Sequence, residues 1–287
     1  MSPIQRFVTC ASPRGLHRLA YLEWPCRAPA EAGPVDTVLC VHGLTRNAWD
    51  FAPLAERLSR RWRVIAPDMI GRGASDRVAD PELYNVPQYI ADCITLIARL
   101  DRERIAWLGT SMGGLIGMSV ASLPGSPVAR LVLNDIGPVV AEPGRQRIGC
   151  YVGHDPAFDS FEAGELALRA LMVDFGPHTD AEFRHLSAHY LVEREGKWRY
   201  HYDPAIAIPF RASLAAPLPD LWPMWDAIRV PTLLLRGASS DVLSSDDAQA
   251  MTERGPRARL VTFEGVGHAP TLIRAAQIDP VEAFLES

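Results

Sequence analysis

The sequence lacks the features that mark nucleic-acid-binding and membrane-spanning proteins. Its 29 basic and 34 acidic residues give a net charge of −5, and a single lysine, Lys197, stands among arginines that form no basic cluster. Nucleic acid is therefore not expected as a partner, because phosphate binding requires grouped Lys or Arg side chains. No apolar run approaches the roughly 18 residues of a membrane-spanning helix. The first residues contain Pro3, Pro13 and Gly15 but no apolar segment, so no signal peptide is predicted.

Paired cysteines and metal-binding motifs are also missing. The five cysteines, at positions 10, 26, 40, 93 and 150, are odd in number and form no Cys-x-x-Cys pair. This argues against a disulfide framework or a zinc site and predicts a cytoplasmic location. His185 and His189 have the spacing of zinc ligands on a helix, but the intervening glutamate and a third ligand are absent. No nucleotide-binding glycine loop is present either, so we expect neither a metal nor a cofactor.

Short apolar segments alternate with helical patterns along most of the 287 residues. The segments are rich in Val, Ile and Leu without polar alternation, as is typical of a parallel sheet covered on both faces; they are 38–41, 64–66, 105–108, 131–133, 232–235 and 259–263. Apolar periodicity and capping residues predict helices over 47–59, 86–100, 112–123, 245–253 and 270–285. The alternation predicts an α/β protein with a doubly wound, mostly parallel sheet.

The stretch 137–225 interrupts this alternation. It shows helical patterns at 161–173 and 180–191 and a cluster of aromatic residues, Trp198, Tyr200, Tyr202, Phe210 and Trp222. We interpret it as a helical cap inserted into a core formed by 1–136 and 226–287, with its aromatic side chains lining a substrate pocket. A second independent domain is the alternative, which is disfavoured because the chain on both sides must complete one sheet.

A candidate nucleophile lies between a predicted strand and a predicted helix. Ser111 is the serine of Gly109-Thr-Ser-Met-Gly113, a Gly-x-Ser-x-Gly sequence. A one-residue turn strains the serine backbone, and the flanking glycines relieve the crowding between strand and helix. Such a turn holds the hydroxyl at a helix N-terminus, where the backbone N–H of Met112 can donate to an oxyanion. The alternative role for Ser111 is to cap that helix.

A serine hydroxyl needs a general base, and the base needs an acid that orients it. His268, which follows the strand 259–263 in Gly-Val-Gly-His, is the predicted base. Asp241, in the loop after the strand 232–235, is the predicted acid that accepts the histidine Nδ1–H. Asp135, which follows the strand 131–133, is the alternative acid.

The second oxyanion donor is expected in the loop after the strand 38–41. The backbone N–H of Leu44 is the candidate, with Gly43 permitting the turn. His42 is then expected to hydrogen-bond backbone atoms and shape this loop, without a part in the chemistry.

These motifs together resemble the α/β-hydrolase family. The similarity comprises the chain order Ser, Asp, His, the His-Gly loop, the Gly-Thr-Ser-Met-Gly-Gly elbow, the sequence Asp-Met-Ile-Gly-Arg-Gly-Ala-Ser-Asp at 68–76 and the Gly-Val-Gly-His loop. It extends over nearly the whole chain and is least specific in the predicted cap. It implies the α/β-hydrolase fold and the triad roles given above. Dehalogenases and epoxide hydrolases of the family carry aspartate at the elbow, so Ser111 implies an esterase-like branch that forms an acyl-enzyme.

The sequence thus predicts a serine hydrolase that cleaves small-molecule carboxylic esters without a cofactor; it indicates no oligomeric state. Lactone, polyester or C–C bond hydrolysis on the same triad is the alternative. A carboxylated substrate would require an arginine directed at the pocket, for which Arg145, Arg147 and Arg211 are the candidates. A non-catalytic ligand-binding protein of the same fold is the alternative of another class, and it would be expected to lack a triad member.

Overall fold

One eight-stranded sheet forms the centre of the computed structural model, which describes residues 2–28 and 36–287. The strands in chain order are β1 (Ile4–Ser12), β2 (Gly15–Trp24), β3 (Thr37–Val41), β4 (Arg63–Pro67), β5 (Ile105–Thr110), β6 (Val128–Asn134), β7 (Leu191–Arg194), β8 (Lys197–Tyr200), β9 (Thr232–Gly237) and β10 (Arg259–Phe263). The central sheet has the spatial order β1-β2-β4-β3-β5-β6-β9-β10, while β7 and β8 pair separately. Its β4-to-β10 part is parallel and β1 and β2 are antiparallel, which confirms the predicted mostly parallel α/β sheet.

Helices connect the strands and cover both faces of the sheet. They are α1 (Ala52–Leu58), α2 (Val86–Arg99), α3 (Met112–Ala121), α4 (Glu142–Tyr151), α5 (Phe161–Leu171), α6 (Asp180–Ala188), α7 (Ala207–Leu214), α8 (Trp222–Ala227), α9 (Ser245–Glu253) and α10 (Ala275–Glu286), with short 3-10 helices at Ala48–Phe51, Pro81–Leu83, Val173–Phe175 and Pro204–Ile206. Helix α2 has both features from which it was predicted. The Asn85 side chain caps it by accepting the Gln88 N–H, and the apolar side chains of Tyr89, Cys93 and Leu96 are buried on one face. Within the described residues, no helix combines the length and apolar character needed to cross a bilayer.

The hydrophobic core lies in two layers, one on each face of the sheet. Successive residues of β5 show the division, since Trp107 belongs to the layer that includes α2 and α3, whereas Ala106 and Leu108 belong to the layer beneath α1 and α10. All three side chains are fully buried. The apolar strands without polar alternation therefore reflect burial on both faces.

Two antiparallel hairpins, β1–β2 and β7–β8, were not predicted. In β1, six of nine residues are exposed and polar residues interrupt the apolar ones, so the strand has no continuous apolar run. The β7–β8 hairpin turns at Glu195 and Gly196, which both have positive φ. The sequence signal for this hairpin was an Arg-Glu-Gly-Lys turn between the short segments Leu-Val-Glu and Trp-Arg-Tyr.

The helices α4 to α8 and the β7–β8 hairpin lie along the chain between β6 and β9, which are neighbours in the sheet. This placement agrees with an insertion after β6, although the division of the chain into core and cap stays a prediction. The last helix begins at Ala275, five residues later than predicted, because the chain from Pro270 to Arg274 forms a loop with positive φ at Leu272.

Candidate active site

Ser111 occupies the sharp turn between β5 and α3. Its backbone has φ 52° and ψ −116°, a conformation that is costly for any residue with a side chain. A β-carbon on Gly113 would lie 2.0 Å from the Val41 carbonyl oxygen, and one on Gly109 would lie 2.2 Å from the Gly113 carbonyl oxygen. The two glycines of the motif are thus required by the close approach of strand and helix. The Ser111 side chain does not cap α3, so the capping alternative is wrong.

His268 links two other side chains at the carboxyl edge of the sheet. Its Nε2 lies 2.9 Å from the Ser111 hydroxyl oxygen, and its Nδ1 lies 2.8 Å from Asp135 Oδ2. The imidazole is buried in the loop that follows β10, and the backbone N–H of Gly267 donates to the Asp174 carbonyl oxygen at 2.7 Å. With Nδ1 protonated toward the carboxylate, Nε2 is free to accept the serine proton.

The Asp135 carboxylate is held by several donors. It is fully buried directly after β6. Oδ1 accepts the backbone N–H of Gly237 at 2.8 Å, and Oδ2 accepts the Ser240 hydroxyl at 2.6 Å in addition to the His268 ring N–H. A buried carboxylate with these partners has a fixed orientation and can stabilise a positive imidazolium.

The predicted placement of Asp241 against His268 is wrong. Its carboxylate instead forms a two-point ion pair with Arg147 of α4, with Nε–Oδ2 and Nη2–Oδ1 distances of 2.6 and 2.8 Å. The Arg147 guanidinium lowers the pKa of Asp241, with a smaller contribution from the charge of His268. Asp241 and Asp135 follow adjacent strands, so both were plausible from the sequence, but Arg147 holds the first and His268 contacts the second.

The loop after β3 carries His42 to Leu44. The His42 ring is completely buried, with Nδ1 2.7 Å from the Gly43 carbonyl oxygen and Nε2 accepting the Met69 N–H at 2.9 Å. Burial lowers the pKa of His42 to about 3, which keeps the ring neutral at ordinary pH. These backbone hydrogen bonds confirm that His42 shapes the loop.

The two predicted oxyanion donors come from different segments, Leu44 from the loop after β3 and Met112 from the first residue of α3. Leu44 lines the same cleft as Ser111 and His268, and the Arg72 guanidinium holds the Leu44 carbonyl oxygen at 2.9 Å. The Met112 N–H lies in the first turn of α3, where N–H groups have no partner within the helix. Both donors therefore stay candidates for binding developing negative charge.

A small cavity of about 70 Å³ lies against Ser111 and His268. The stretch predicted to be the cap contributes Ile148, Tyr151, Phe175 and Leu186 to its lining. The aromatic side chains of the stretch that line the cavity are Tyr151 and Phe175, whereas the cluster noted in the sequence does not line it: Trp198, Tyr200, Tyr202, Phe210 and Trp222. Tyr200 and Tyr202 are buried in the apolar layer instead.

The three arginines predicted as candidates for binding a substrate carboxylate, Arg145, Arg147 and Arg211, do not line the cavity either. Arg145 binds the Glu142 carboxylate and the Ser213 carbonyl oxygen, both at 2.7 Å. Arg147 is paired with Asp241, and Arg211 donates to the Val152 carbonyl oxygen at 2.8 Å. Each guanidinium thus already has protein acceptors away from Ser111.

One group of side chains elsewhere has the composition of a metal site. Cys10, His17 and Asp92 are buried, and one potential ligand atom from each lies within 4.8 Å of the others. His17 Nε2 and Asp92 Oδ1 are hydrogen-bonded at 3.0 Å, and burial raises the pKa of the Cys10 thiol to about 12, so the thiol stays protonated. All five cysteines are free. Because these residues come from β1, β2 and α2, the sequence spacing gave no sign of their proximity.

Comparison with known proteins gives full-length matches. The model of the alpha/beta hydrolase family matches residues 38–285. A curated protein of Cupriavidus necator named 3-hydroxybutyrate-oligomer hydrolase is 45% identical over 285 residues, which cover 96% of each chain.

Solved structures match over the same extent. An alpha/beta hydrolase from Novosphingobium aromaticivorans is 38% identical, with a TM-score of 0.89 over 99% of this chain and 98% of its own. A structure described as a putative hydrolase from Rickettsia typhi is 28% identical, with a TM-score of 0.88 over 100% and 99% of the two chains. The fold is therefore shared over nearly the entire length of these chains, with 28% and 38% of the residues identical in the two solved structures.

Proposed function

The chain belongs to the alpha/beta hydrolase family, and on that premise we propose that it hydrolyses the ester bonds of short 3-hydroxybutyrate oligomers through Ser111, His268 and Asp135. The observation that carries the proposal is the His268 ring, which lies within hydrogen-bond distance of both the Ser111 hydroxyl and the Asp135 carboxylate. The name of the Cupriavidus necator relative supports the substrate class. The match to hydrolases over the whole chain agrees with the enzyme class predicted from the sequence.

The proposed reaction begins when His268 Nε2 takes the Ser111 proton as the serine oxygen attacks the ester carbonyl carbon. The carbonyl oxygen becomes an oxyanion that the backbone N–H groups of Leu44 and Met112 stabilise. His268 then gives its proton to the leaving alkoxide, which departs as an alcohol and leaves an acyl group on Ser111. Asp135 stabilises the transient imidazolium and keeps Nδ1 as the protonated nitrogen.

The same groups complete the cycle with water. His268 takes a proton from a water molecule, whose oxygen attacks the acyl-enzyme carbonyl, and the oxyanion again lies between the two backbone donors. Collapse of this intermediate breaks the bond to Ser111 and returns the proton from His268 to the serine. The products are a carboxylic acid and the alcohol, and no cofactor takes part.

The cavity dimensions favour a short acyl group. A space of about 70 Å³ beside the nucleophile matches a small hydroxyacyl unit better than a long alkyl chain. We further propose that 137–225 acts as a cap, because its residues Ile148, Tyr151, Phe175 and Leu186 line the cavity together with Ser111. The five free cysteines support the proposal of a reducing, cytoplasmic environment.

The direct test is hydrolysis of the 3-hydroxybutyrate dimer and trimer, followed by quantification of the released acid. Ser111→Ala is expected to abolish turnover while leaving the circular dichroism spectrum and melting temperature unchanged. Ser119→Ala is the matched control, because Ser119 lies on α3 with its hydroxyl bonded to the Leu115 carbonyl oxygen and is expected to keep full activity. Absence of hydrolysis by the wild-type protein, or turnover retained by Ser111→Ala, would contradict the proposal. The non-catalytic alternative predicts the first of these results.

A further inference from the structure

The cavity beside Ser111 is lined by an arginine, Arg46, which is not one of the three arginines predicted to bind a carboxylate. Among the described residues that line it, the charged groups apart from the His268 ring are Arg46 and Asp50. Arg46 follows Leu44 by two positions, in the loop that supplies the proposed oxyanion donor. Its guanidinium is nearly buried, with 9% of the side chain exposed, and it packs over the Tyr190 ring at 4.8 Å.

The hydrogen-bonding capacity of Arg46 is only partly used. Nε and Nη2 donate to the two oxygens of Asp50 at 2.7 and 2.6 Å. A guanidinium carries five N–H donors, so this two-point pair leaves three. Among the described residues, the one other hydrogen-bond partner of the Arg46 guanidinium is the Met172 sulfur, which lies 3.5 Å from Nη1. A thioether is a weak acceptor. A buried cation with unused donors in a ligand cavity is a site for an anionic group.

Arg46 is also close to the nucleophile. A β-carbon built on Gly43 would lie 3.7 Å from Ser111 Cβ and 3.8 Å from Arg46 Cγ, so one small residue separates the bases of the two side chains. Ser111 and Arg46 also line the same small cavity, so a ligand that presents its ester to Ser111 there can offer a nearby carboxylate to Arg46.

The substrate class in the proposed function has such a group. In an oligomer of a 3-hydroxy acid, the alcohol released by cleavage of the last ester bond is itself a hydroxy acid with a free carboxylate. Two carbons lie between its ester oxygen and that carboxylate carbon. We propose that Arg46 binds this terminal carboxylate and makes the enzyme selective for short oligomers with a free acid end. This inference rests on the proposed function and adds which group of the substrate is recognised.

Asp50 weakens the attraction between Arg46 and a substrate carboxylate. Its carboxylate neutralises Arg46 and repels an incoming anion, so the pair binds a carboxylate through directed N–H donors more than through net charge. Weak net attraction is useful here, because the product of every cleavage at this end also carries a carboxylate and must leave. Loss of the Asp50 charge should therefore strengthen binding of the acid.

The test compares two ligands that differ only at that end, the 3-hydroxybutyrate dimer and its methyl ester. Ser111→Ala serves as the background, so that binding is measured by calorimetry without turnover. The free acid is expected to bind about tenfold tighter than the methyl ester, the affinity change that corresponds to one charge-assisted hydrogen bond. In Arg46→Gln the ratio should fall to near one, and in Asp50→Asn it should rise above the background value.

Controls separate recognition from folding. Arg211→Gln removes the same charge from a side chain that contacts the Val152 carbonyl oxygen outside the cavity, and its ratio should match the background. If Arg46→Gln fails to fold, Arg46→Lys and Asp50→Asn provide the readout, with ratios expected to move in opposite directions. Equal affinity for acid and ester in the background, undetectable binding of the acid, or a folded Arg46→Gln with an unchanged ratio would overturn the inference. Hydrolysis of both dimers at equal efficiency by the wild-type enzyme would overturn it while leaving the proposed function intact.

Discussion

Replacement of Asp135 by asparagine tests the proposed acid by changing which nitrogen of His268 carries a proton. The backbone N–H of Gly237 points at Oδ1 and cannot rotate away, so the amide oxygen of Asp135→Asn must occupy that position. The amide NH2 then occupies the Oδ2 position and faces His268 Nδ1. This contact favours the tautomer with the proton on Nε2, and an Nε2–H cannot accept the proton of Ser111.

The size of the effect follows from this tautomer change. An aspartate-to-asparagine change in a serine triad lowers kcat by about 10⁴-fold when the geometry is otherwise preserved. Asp241→Asn removes a charge opposite Arg147 but leaves an amide oxygen that still accepts a guanidinium N–H. Because the side chain of Asp241 is 30% exposed, we expect it to cost about 1 kcal/mol of stability or less and to change kcat little.

The assay measures kcat and kcat/KM of both variants on the 3-hydroxybutyrate dimer and on p-nitrophenyl butyrate. Melting temperatures and circular dichroism establish that each variant is folded. A large loss in Asp135→Asn with near-wild-type activity in Asp241→Asn is the expected pattern. A larger loss in Asp241→Asn, on folded protein, would refute the assignment and restore Asp241 as the acid.

Two further predictions concern the turns that hold the site. Gly113→Ala would place a carbon 2.0 Å from the Val41 carbonyl oxygen and is expected to lower the free energy of unfolding by about 3 kcal/mol or more. Gly43→Ala is the control, because its added carbon would meet its neighbours at an ordinary 3.7 to 3.8 Å and should leave the stability unchanged. Equal midpoints of urea unfolding for the two variants would contradict the packing argument. His42, whose pKa is lowered from 6.5 to about 3, should contribute stability that is complete above pH 6.5 and lost as pH falls toward 3, by about 5 kcal/mol at most. In urea unfolding across this range, His42→Gln should show a smaller loss on acidification than the wild-type protein, and identical slopes would disprove the assignment.

The nucleophile and the base were predictable because each depends on a local requirement. Gly109 and Gly113 are needed by the approach of β5 and α3, so the sequence around Ser111 specifies the turn by itself. His268 follows β10 in a glycine-containing loop that reaches across the edge of the sheet. In both cases the residue type and its few neighbours contained the information.

The acid could not be chosen in the same way. Asp135 and Asp241 follow β6 and β9, which are adjacent parallel strands, so their loops emerge side by side at one edge. What separates them is Arg147, which comes from α4 and whose direction depends on how the stretch after β6 packs. Such a contact cannot be derived from sequence spacing. The same holds for Arg46: it lies in the loop of His42 and Leu44, whose motif predicts roles for the backbone but none for the Arg46 side chain.

The relative positions of the three proposed catalytic groups follow from the ends of neighbouring strands. Beyond the last residue of β5, the Ser111 N–H donates to the Asn134 carbonyl oxygen at 3.0 Å, and beyond β6 the Asp135 N–H donates to the Leu235 carbonyl oxygen at 2.8 Å. The Asn134 side chain, fully buried, donates to the Pro270 carbonyl oxygen at 2.8 Å and thereby joins the loop of His268 to the same edge. Ser111 and Asp135 both have positive φ, so each turns its side chain out of the sheet at the first residue after its strand. The sheet hydrogen bonds continue through these strained residues, so the rigid sheet fixes the Ser111, His268 and Asp135 side chains relative to one another. Proton transfer across the 2.9 Å between the Ser111 hydroxyl oxygen and His268 Nε2 requires such fixed positions.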